Sequence, residues 1–373
     1  MTMTETYFIT GASGTVGRRV TSELLKKTGA RLVLLVHKTG GDLTPDLFAE
    51  QFLTVPSGGL DKRVELVRGD ITKPILGMER SVYDDLAQRL THVVHGAATT
   101  QFNLTLSDAR AVNVAGTKHV LDLFMKAPQA RHFAFLSTAY VAGTEIGRIL
   151  EVPMPATTHF VNTYEQTKCE AEVLVRKLSQ PASIYRLSTI IGDSRDGSVD
   201  HFTAPHQALR IMYLGLAAMV PGTPAYVVDL IPSDHAACAV SSLLVDETSF
   251  GHIFHITAGE ERSYTLAELL EASYDNLALA EPEWARRRYP RTPIVSQEAF
   301  DLFLRSAEDA GNVFVAQVLG AMKHFAHQLN YPKEFDRTNL DKFLPTFHSS
   351  LPHIRDYYPA VVNYCLRTKF GRL

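Results

Sequence analysis

A doubly wound α/β fold, its parallel sheet covered by helices on both faces, is what this sequence predicts. Three observations carry the prediction. Short apolar runs alternate with amphipathic stretches through the first half of the chain. The opening "TYFITGASGTVGRRVTSELLKK" reads as a strand, a glycine-rich turn and a helix. Small residues cluster where each apolar run ends. Strand–helix alternation with apolar strands means a parallel sheet buried on both sides, and ligands of such sheets bind beyond the carboxyl ends of the strands.

Composition bounds the function. The chain has 373 residues, 45% hydrophobic and 21% charged, with a formal net charge of -3. That is a globular profile with no basic excess to suggest a nucleic-acid partner. Cys169, Cys238 and Cys365 are odd in number and widely spaced, so neither a disulfide framework nor a zinc site is expected and a reducing cytoplasm is. The beginning lacks a basic region followed by an apolar run, so no signal peptide is expected. "LRIMYLGLAAMVPG" (209–222) is too short to span a bilayer, so no transmembrane segment is expected either.

The first turn places Gly11, Gly14 and Gly17 at G-x-x-G-x-x-G spacing, with Ser13, Thr15, Val16 and Arg18 between and after them. Gly11 lets the chain turn sharply, Gly14 lets backbone meet a pyrophosphate, and Gly17 lets helix pack on sheet. The helix N-terminus then offers N–H groups to phosphate oxygens. A second strand, "RLVLLVHK" (31–38), ends on His37 and Lys38, where NAD-binding folds carry an acid for the ribose 2′-hydroxyl. Lys38 with Arg18 could accept a 2′-phosphate, which favours NADPH. Asp42 keeps NADH open, and both cations could simply be solvated.

The next elements repeat the pattern. "RVELVRGDI" (63–71) is a strand ending on Asp70 and Ile71, and "THVVHGAATT" (91–100) runs into Gly96, Ala97, Ala98 and Thr99. "DARAVNVAGTKHVLDLFMKA" (108–127) reads as one long helix carrying Asn113. "RHFAFLSTAYVAG" (131–143) is a strand and loop, "TYEQTKCEAEVLVRKL" (163–178) a helix, and "ASIYRLSTIIG" (182–192) a strand ending near Leu187, Ser188 and Ile190. After a helix and turn at 201–222, "GHIFHITAG" (251–259) supplies one more strand, and 262–373 reads as mostly helical, with a long stretch from Gln297 to Gln328. The expected division is a dinucleotide-binding domain of Rossmann type over 1–200, with returning segments about 225–260. A smaller substrate-binding cap takes 201–224 and 261–373.

The segments "TGASGTVG", "GDI", "HGAA", "NVAGT", "LSTAYVAG", "YEQTK" and "YRLSTIIGD" stand in the order found in extended short-chain dehydrogenases/reductases, which the chain resembles. "GDITKPILGM" (69–78) is similar to the G-D-x-x-x-P-x-L-G-[LM] segment of thioester reductase domains and fatty acyl-CoA reductases. "STAYV" (137–141), "DLIPSDHAA" (229–237) and, more loosely, "YPKEFDRTN" (331–339) suit the same branch. The resemblance implies an NAD(P)H-dependent oxidoreductase acting on an acyl thioester of coenzyme A or a carrier protein, or on the derived aldehyde. By the same resemblance Thr138, Tyr164 and Lys168 are its catalytic set, with Lys168 also holding the nicotinamide ribose. Asn113 matches a family asparagine, with pinning of its helix to the sheet as the other reading. Ser137 is the neighbour that could be confused with Thr138. The family's Arg-Pro-Gly is replaced here by Arg186-Leu187-Ser188.

Tyr164 and Lys168 lie four apart, so a helix puts them on one face. An ammonium beside the phenol is expected to lower its pKa from the ordinary value of about 10, making Tyr164 a general acid. Elsewhere, Ile211, Met212, Leu214 and Met219 are read as core in preference to an acyl channel. Arg286, Arg287, Arg288 and Arg291 are read as a solvated loop in preference to a dock for coenzyme A phosphates or an acidic carrier. His95 and His235 are expected in structural hydrogen bonds, and no histidine spacing suits a metal. No adenylation or carrier domain is recognisable, so a thioester is expected to arrive on another molecule. The competing functions are a ketone or secondary-alcohol oxidoreductase, a nucleotide-sugar epimerase, and a non-catalytic dinucleotide sensor.

Overall fold

The computed structural model describes residues 5–37, 44–54, 62–311, 313, 320 and 326–371; Lys38 and Asp42 lie outside them. Seven parallel strands form the central sheet: β1 (Thr6–Thr10), β2 (Arg31–Val36), β3 (Val64–Arg68), β4 (His92–His95), β5 (His132–Thr138), β6 (Ala182–Leu187) and β7 (Ile253–Ile256). Their spatial order is β7-β6-β5-β4-β1-β2-β3. Every residue of β1, β4 and β5 is buried, which is why these strands read as unbroken apolar runs instead of alternating ones. β1 pairs with β2 on one side (Thr6 beside Arg31) and β4 on the other (Tyr7 beside His92). Strand order therefore reverses between β1 and β4, and a crevice opens beyond their carboxyl ends.

Helices cover both faces. On one, α1 (Thr15–Lys27) and α7 (Ser233–Val245) bury Val20, Leu24, Ala236 and Val240 against Ile9 and Leu34. On the other, α2 (Arg80–Arg89), α4 (Ala115–Lys126) and α5 (Thr163–Val175) bury Leu86, Val120, Phe124 and Ala171 against Phe8, Val33 and Phe133. Each such Val, Leu or Phe contributes about 1.5–3 kcal/mol of burial. A third core, around Leu209, Met212, Leu277, Trp284, Tyr357 and Val361, joins α6 (Ala204–Tyr213), α8 (Leu266–Ala280) and α10 (Ile354–Arg367).

Two expectations are corrected. The single helix over 108–127 is instead α3 (Leu106–Asn113) and α4, bent at Val114. The Thr117 hydroxyl donates to the Asn113 carbonyl at 2.6 Å, competing with the helical backbone bond and bending the axis. The long helix from Gln297 runs only to Asp309 as α9, and most of 312–325 lies outside the described residues. Among the described residues, no helix is long and apolar enough to cross a membrane.

Candidate active site

The glycine turn sits in the crevice at the switch in strand order. Gly11 has φ +74°, and a Cβ there would meet the Gly96 carbonyl carbon at 2.6 Å. A Cβ on Gly17 would meet the Gly11 carbonyl oxygen at 2.1 Å. Both positions exclude any side chain, so the ends of β1 and β4 and the start of α1 close into a bare backbone cradle. Gly14 caps α1 without a side-chain hydrogen bond, and the first turn has no acid. Free N–H groups and the positive end of a thirteen-residue helix thus face the crevice, a fit for a dinucleotide pyrophosphate. Thr15 Oγ1 is 3.1 Å from His201 Nδ1, and Ser13 is exposed at the tip of the turn.

The far end of the crevice is shaped by the 69–78 segment. It folds back so that the Asp70 amide donates to the Leu76 carbonyl (2.7 Å), with Ile75 and Leu76 both at positive φ. Burial raises the Asp70 carboxyl, but hydrogen bonds from Thr72 and the charge of His37 outweigh it and leave the group below its usual range. His37 is exposed, its Nε2 3.6 Å from Asp70. Ile71 is buried against Gly116, and its carbonyl accepts from His119 Nδ1 at 2.8 Å. Arg18, expected as a partner for a 2′-phosphate, is already engaged. It donates to Asp200 (2.7 Å) and to the Phe52 carbonyl (2.6 Å).

Thr138 ends β5, and Tyr164 and Lys168 occupy the first two turns of α5. All three line one cavity with Gly11, Gly14, Thr15, Val16 and Gly17. Gly96, Ala98, Leu187, Ser188 and Ile190 line it too. The Thr138 side chain stands beside the Tyr164 phenol and acts to lower its pKa; its Oγ1 accepts from the Tyr140 amide at 3.2 Å. The Ser188 hydroxyl is buried with no hydrogen-bond partner among the described residues, an open polar position beside the cradle. Ala97 and Thr99 lie just behind: the Ala97 amide donates to Thr10 Oγ1 (3.2 Å) and the Thr99 amide to Asn113 Oδ1 (2.9 Å).

Charge in this group departs from expectation. Burial pushes the Tyr164 phenol up to about 12, overriding the lowering effect of Thr138. Lys168 does not lower it. Its ammonium donates to the Leu136 carbonyl (2.7 Å) and lies 3.9 Å from the Phe135 ring centroid. Burial brings Lys168 down to about 7, against the opposing charge of Glu172. A phenol in this state is fully protonated at neutral pH and is poised to give a proton.

Neighbouring residues set the aim of Tyr164. Asn162 caps α5 by accepting from the Glu165 amide (3.0 Å), and Glu165 accepts from Val161 N and Asn162 Nδ2. Asn113 ties its helix to α5 and to the loop after β4: Nδ2 donates to Thr167 Oγ1 (2.9 Å) and to the Thr99 carbonyl (3.2 Å). Its side chain is spent on that task and makes no hydrogen bond to Thr138, Tyr164 or Lys168. Ser137 donates to Glu172 (2.6 Å), so its proton is spent there and is not offered to Tyr164.

Sequence reasoning missed several residues. Glu165 is buried, and burial raises its carboxyl to about 7 despite the lowering effect of Gln328. Gln328 Nε2 donates to it (2.7 Å), and Lys333 Nζ donates to Gln328 Oε1 (3.0 Å). The strap near the C-terminus is thereby tied to the start of α5. The N-x-x-E spacing of Asn162 and Glu165 was the available signal. Tyr140, which also lines the cavity and accepts from Thr189 Oγ1, carried none.

The cavity measures about 550 Å³ and extends from the cradle into the third core, along Leu209, Met212, Leu230, Leu266 and Leu270. Met212 thus lines the channel as well as packing in the core. Ile211 and Met219 pack against Val220 and Tyr226, and Leu214 is exposed. His95 is a structural histidine, bonded to Thr10 Oγ1 (2.7 Å) and Thr117 Oγ1 (3.0 Å) and driven by burial to about 3. His235 is not: it lies 3.9 Å from Asp234, too far for a hydrogen bond. Arg286 pairs with Glu283 and Arg291 with Glu271, while Arg287 and Arg288 are exposed.

Known proteins share this fold. The terminal R domain of the myxalamid PKS-NRPS pathway superposes with a TM-score of 0.77 at 22% identity, over 99% of this chain and 92% of that one. UDP-glucuronic acid 4-epimerase from Bacillus cereus, in complex with NAD, superposes at 0.65 with 18% identity, over 98% of each. A linear gramicidin synthase of Brevibacillus parabrevis is 26% identical over 82% of this chain, which spans only 6% of that protein. Fatty acyl-CoA reductase 1 of Xenopus laevis is 28% identical over 61% of this chain and 52% of its own length. The sequence profile of the male sterility protein family, an NAD-binding domain, matches residues 9–240. With the cradle, the switch in strand order and this match in agreement, the chain belongs to the NAD-binding male sterility protein family.

Proposed function

We propose that the protein is an NAD(P)H-dependent reductase of acyl thioesters carried on coenzyme A or an acyl carrier protein. The observation that supports it best is the meeting of Thr138, Tyr164 and Lys168 at the joint of a dinucleotide cradle and an apolar channel. A bound reduced nicotinamide supplies the hydride. Thr138 and Tyr164 orient the thioester carbonyl through its oxygen, and the protonated phenol delivers its proton there as charge develops. The resulting hemithioacetal releases thiol and aldehyde. Lys168 would hold the nicotinamide ribose, and Leu187, Ser188 and Ile190, which line the same cavity, would help to hold the dinucleotide. Residues 1–200 with the returns near 225–260 hold the dinucleotide; 201–224 and 261–373 enclose the acyl group.

NADPH is the proposed cofactor, with NADH as a weaker substitute, because His37 follows β2 directly, where an NAD-type fold carries an acid. The free cysteines, exposed Cys238 among them, support a reducing cytoplasmic setting. The leucine-lined channel suits an acyl chain better than the polar sugar of an epimerase. The test is dinucleotide oxidation against acyl-CoAs, aldehydes, ketones and UDP-sugars, with both dinucleotides. Turnover of acyl-CoAs with a lower KM for NADPH is expected; turnover of ketones alone would transfer the assignment to a ketoreductase.

A pH dependence follows. Lys168 keeps its charge only below about 7 in the empty site. kcat/KM for the dinucleotide reports that empty enzyme. It is therefore expected to fall as pH rises through about 7, whereas loss of the Tyr164 proton needs a pH near 12. A flat profile between pH values of about 6 and 9 would show that Lys168 is charged throughout.

A further inference from the structure

The channel is apolar along most of its wall, yet in the third core it meets two hydroxyls. Ser273 on α8 and Tyr358 on α10 both line it and are 3% and 4% exposed. Their oxygens are 2.7 Å apart. Counting protons decides which one donates. Ser273 has a single proton, and its Oγ is 2.7 Å from the Leu269 carbonyl, which can only accept. Both contacts are made at once only when Tyr358 donates to Ser273. Both protons are then consumed inside the protein, and what is left for the channel is lone pairs.

Charge narrows the ligand further. Among the described residues of the lining, the carboxylates are Glu165, beside Tyr164, and Asp200, held by Arg18 near the cradle. Neither accompanies the hydroxyl pair, so a cation buried there would stand without a counter-charge. We propose that Ser273 and Tyr358 read the tail of the acyl chain, and that the preferred substrates are thioesters whose tail carries an uncharged hydrogen-bond donor, a hydroxyl or an amide N–H. The proposal rests on the thioester reading above and adds the class of acyl group.

The test uses the full chain and three sets of acyl-CoAs of graded length, with plain, ω-hydroxy and ω-methoxy tails. The methoxy tail accepts but cannot donate. At the length that reaches the pair, wild type is expected to favour the ω-hydroxy tail over both others by roughly 3- to 10-fold in kcat/KM, as one hydrogen bond allows. In the double variant Ser273→Ala/Tyr358→Phe that ratio collapses to about one, since the ring remains and both acceptor oxygens are gone. Ser273→Ala frees the Tyr358 proton and shifts the preference towards the methoxy tail, an independent check should the first variant fail to fold. Equal kcat/KM for the three tails at every length, or an advantage that survives the double variant, overturns the proposal. A wild type that turns over no thioester overturns the parent reading and this one with it, and the two failures are told apart by whether plain acyl-CoAs react.

Discussion

Tyr164→Phe is expected to lower kcat for thioester reduction by about 10²–10⁴-fold while leaving the Kd for NADPH within about threefold of wild type. The phenol lines the cavity with Thr138 and Lys168 where cradle and channel meet, and it is protonated at neutral pH. Removing its oxygen removes the proton that the carbonyl oxygen must receive. The ring itself has a packing role, its centroid 5.7 Å from that of Phe102, and phenylalanine keeps it. The cradle at Gly11, Gly14 and Gly17 is built from other elements, so dinucleotide affinity has no reason to follow. Rates at saturating thioester, with Kd from fluorescence titration of NADPH, separate the two. A variant that turns over at the wild-type rate would remove Tyr164 from the chemistry; one that loses NADPH binding in step with kcat would make it a structural residue.

How much of this was legible in the sequence differs from residue to residue. The seven strands were legible because strands buried on both faces have no polar alternation to dilute the signal. The cradle was legible because close approach forbids side chains at Gly11 and Gly17, and that leaves a spacing in the text. The direction of the Tyr164 pKa was not. Spacing puts an ammonium four residues away, but burial decides the sign, and the cavity that holds the phenol is lined by residues as distant as Gln328 and Leu329, more than 160 positions later in the chain. No local pattern announces such a neighbour. Asn113 stayed ambiguous for the same reason, since its role depends on whether its amide meets Thr167 or the phenol. The bend at Val114 was hidden because a threonine inside an amphipathic run looks like any other polar position until its hydroxyl finds a carbonyl.

The second large effect is structural. Arg186, the largest fully buried side chain, holds Glu172 through Nη2–Oε2 (2.8 Å) and Nε–Oε1 (3.1 Å), with His255 Nε2 3.3 Å from Nη1. Burial and the Arg186 charge drive His255 down to about 3, so it stands neutral and gives no compensation beyond a lone pair. Glu172→Ala strands a guanidinium in the core, and the expected loss of unfolding free energy is about 3–5 kcal/mol, measured by urea denaturation. That is a large share of the 5–15 kcal/mol by which proteins are typically stable. Arg186→Met combined with Glu172→Leu removes both charges and is expected to be less damaging than the single change, because the cost lies in the unpaired ion and not in the missing bond. A loss below about 1 kcal/mol for Glu172→Ala would mean that the guanidinium finds water or another partner. The pair also bears on the reaction. Glu172 lies one turn beyond Lys168 and is the charge that favours its protonated form. Glu172→Ala should therefore move the fall in dinucleotide kcat/KM to lower pH. An unshifted profile in a destabilised but folded variant would confine Glu172 to the core.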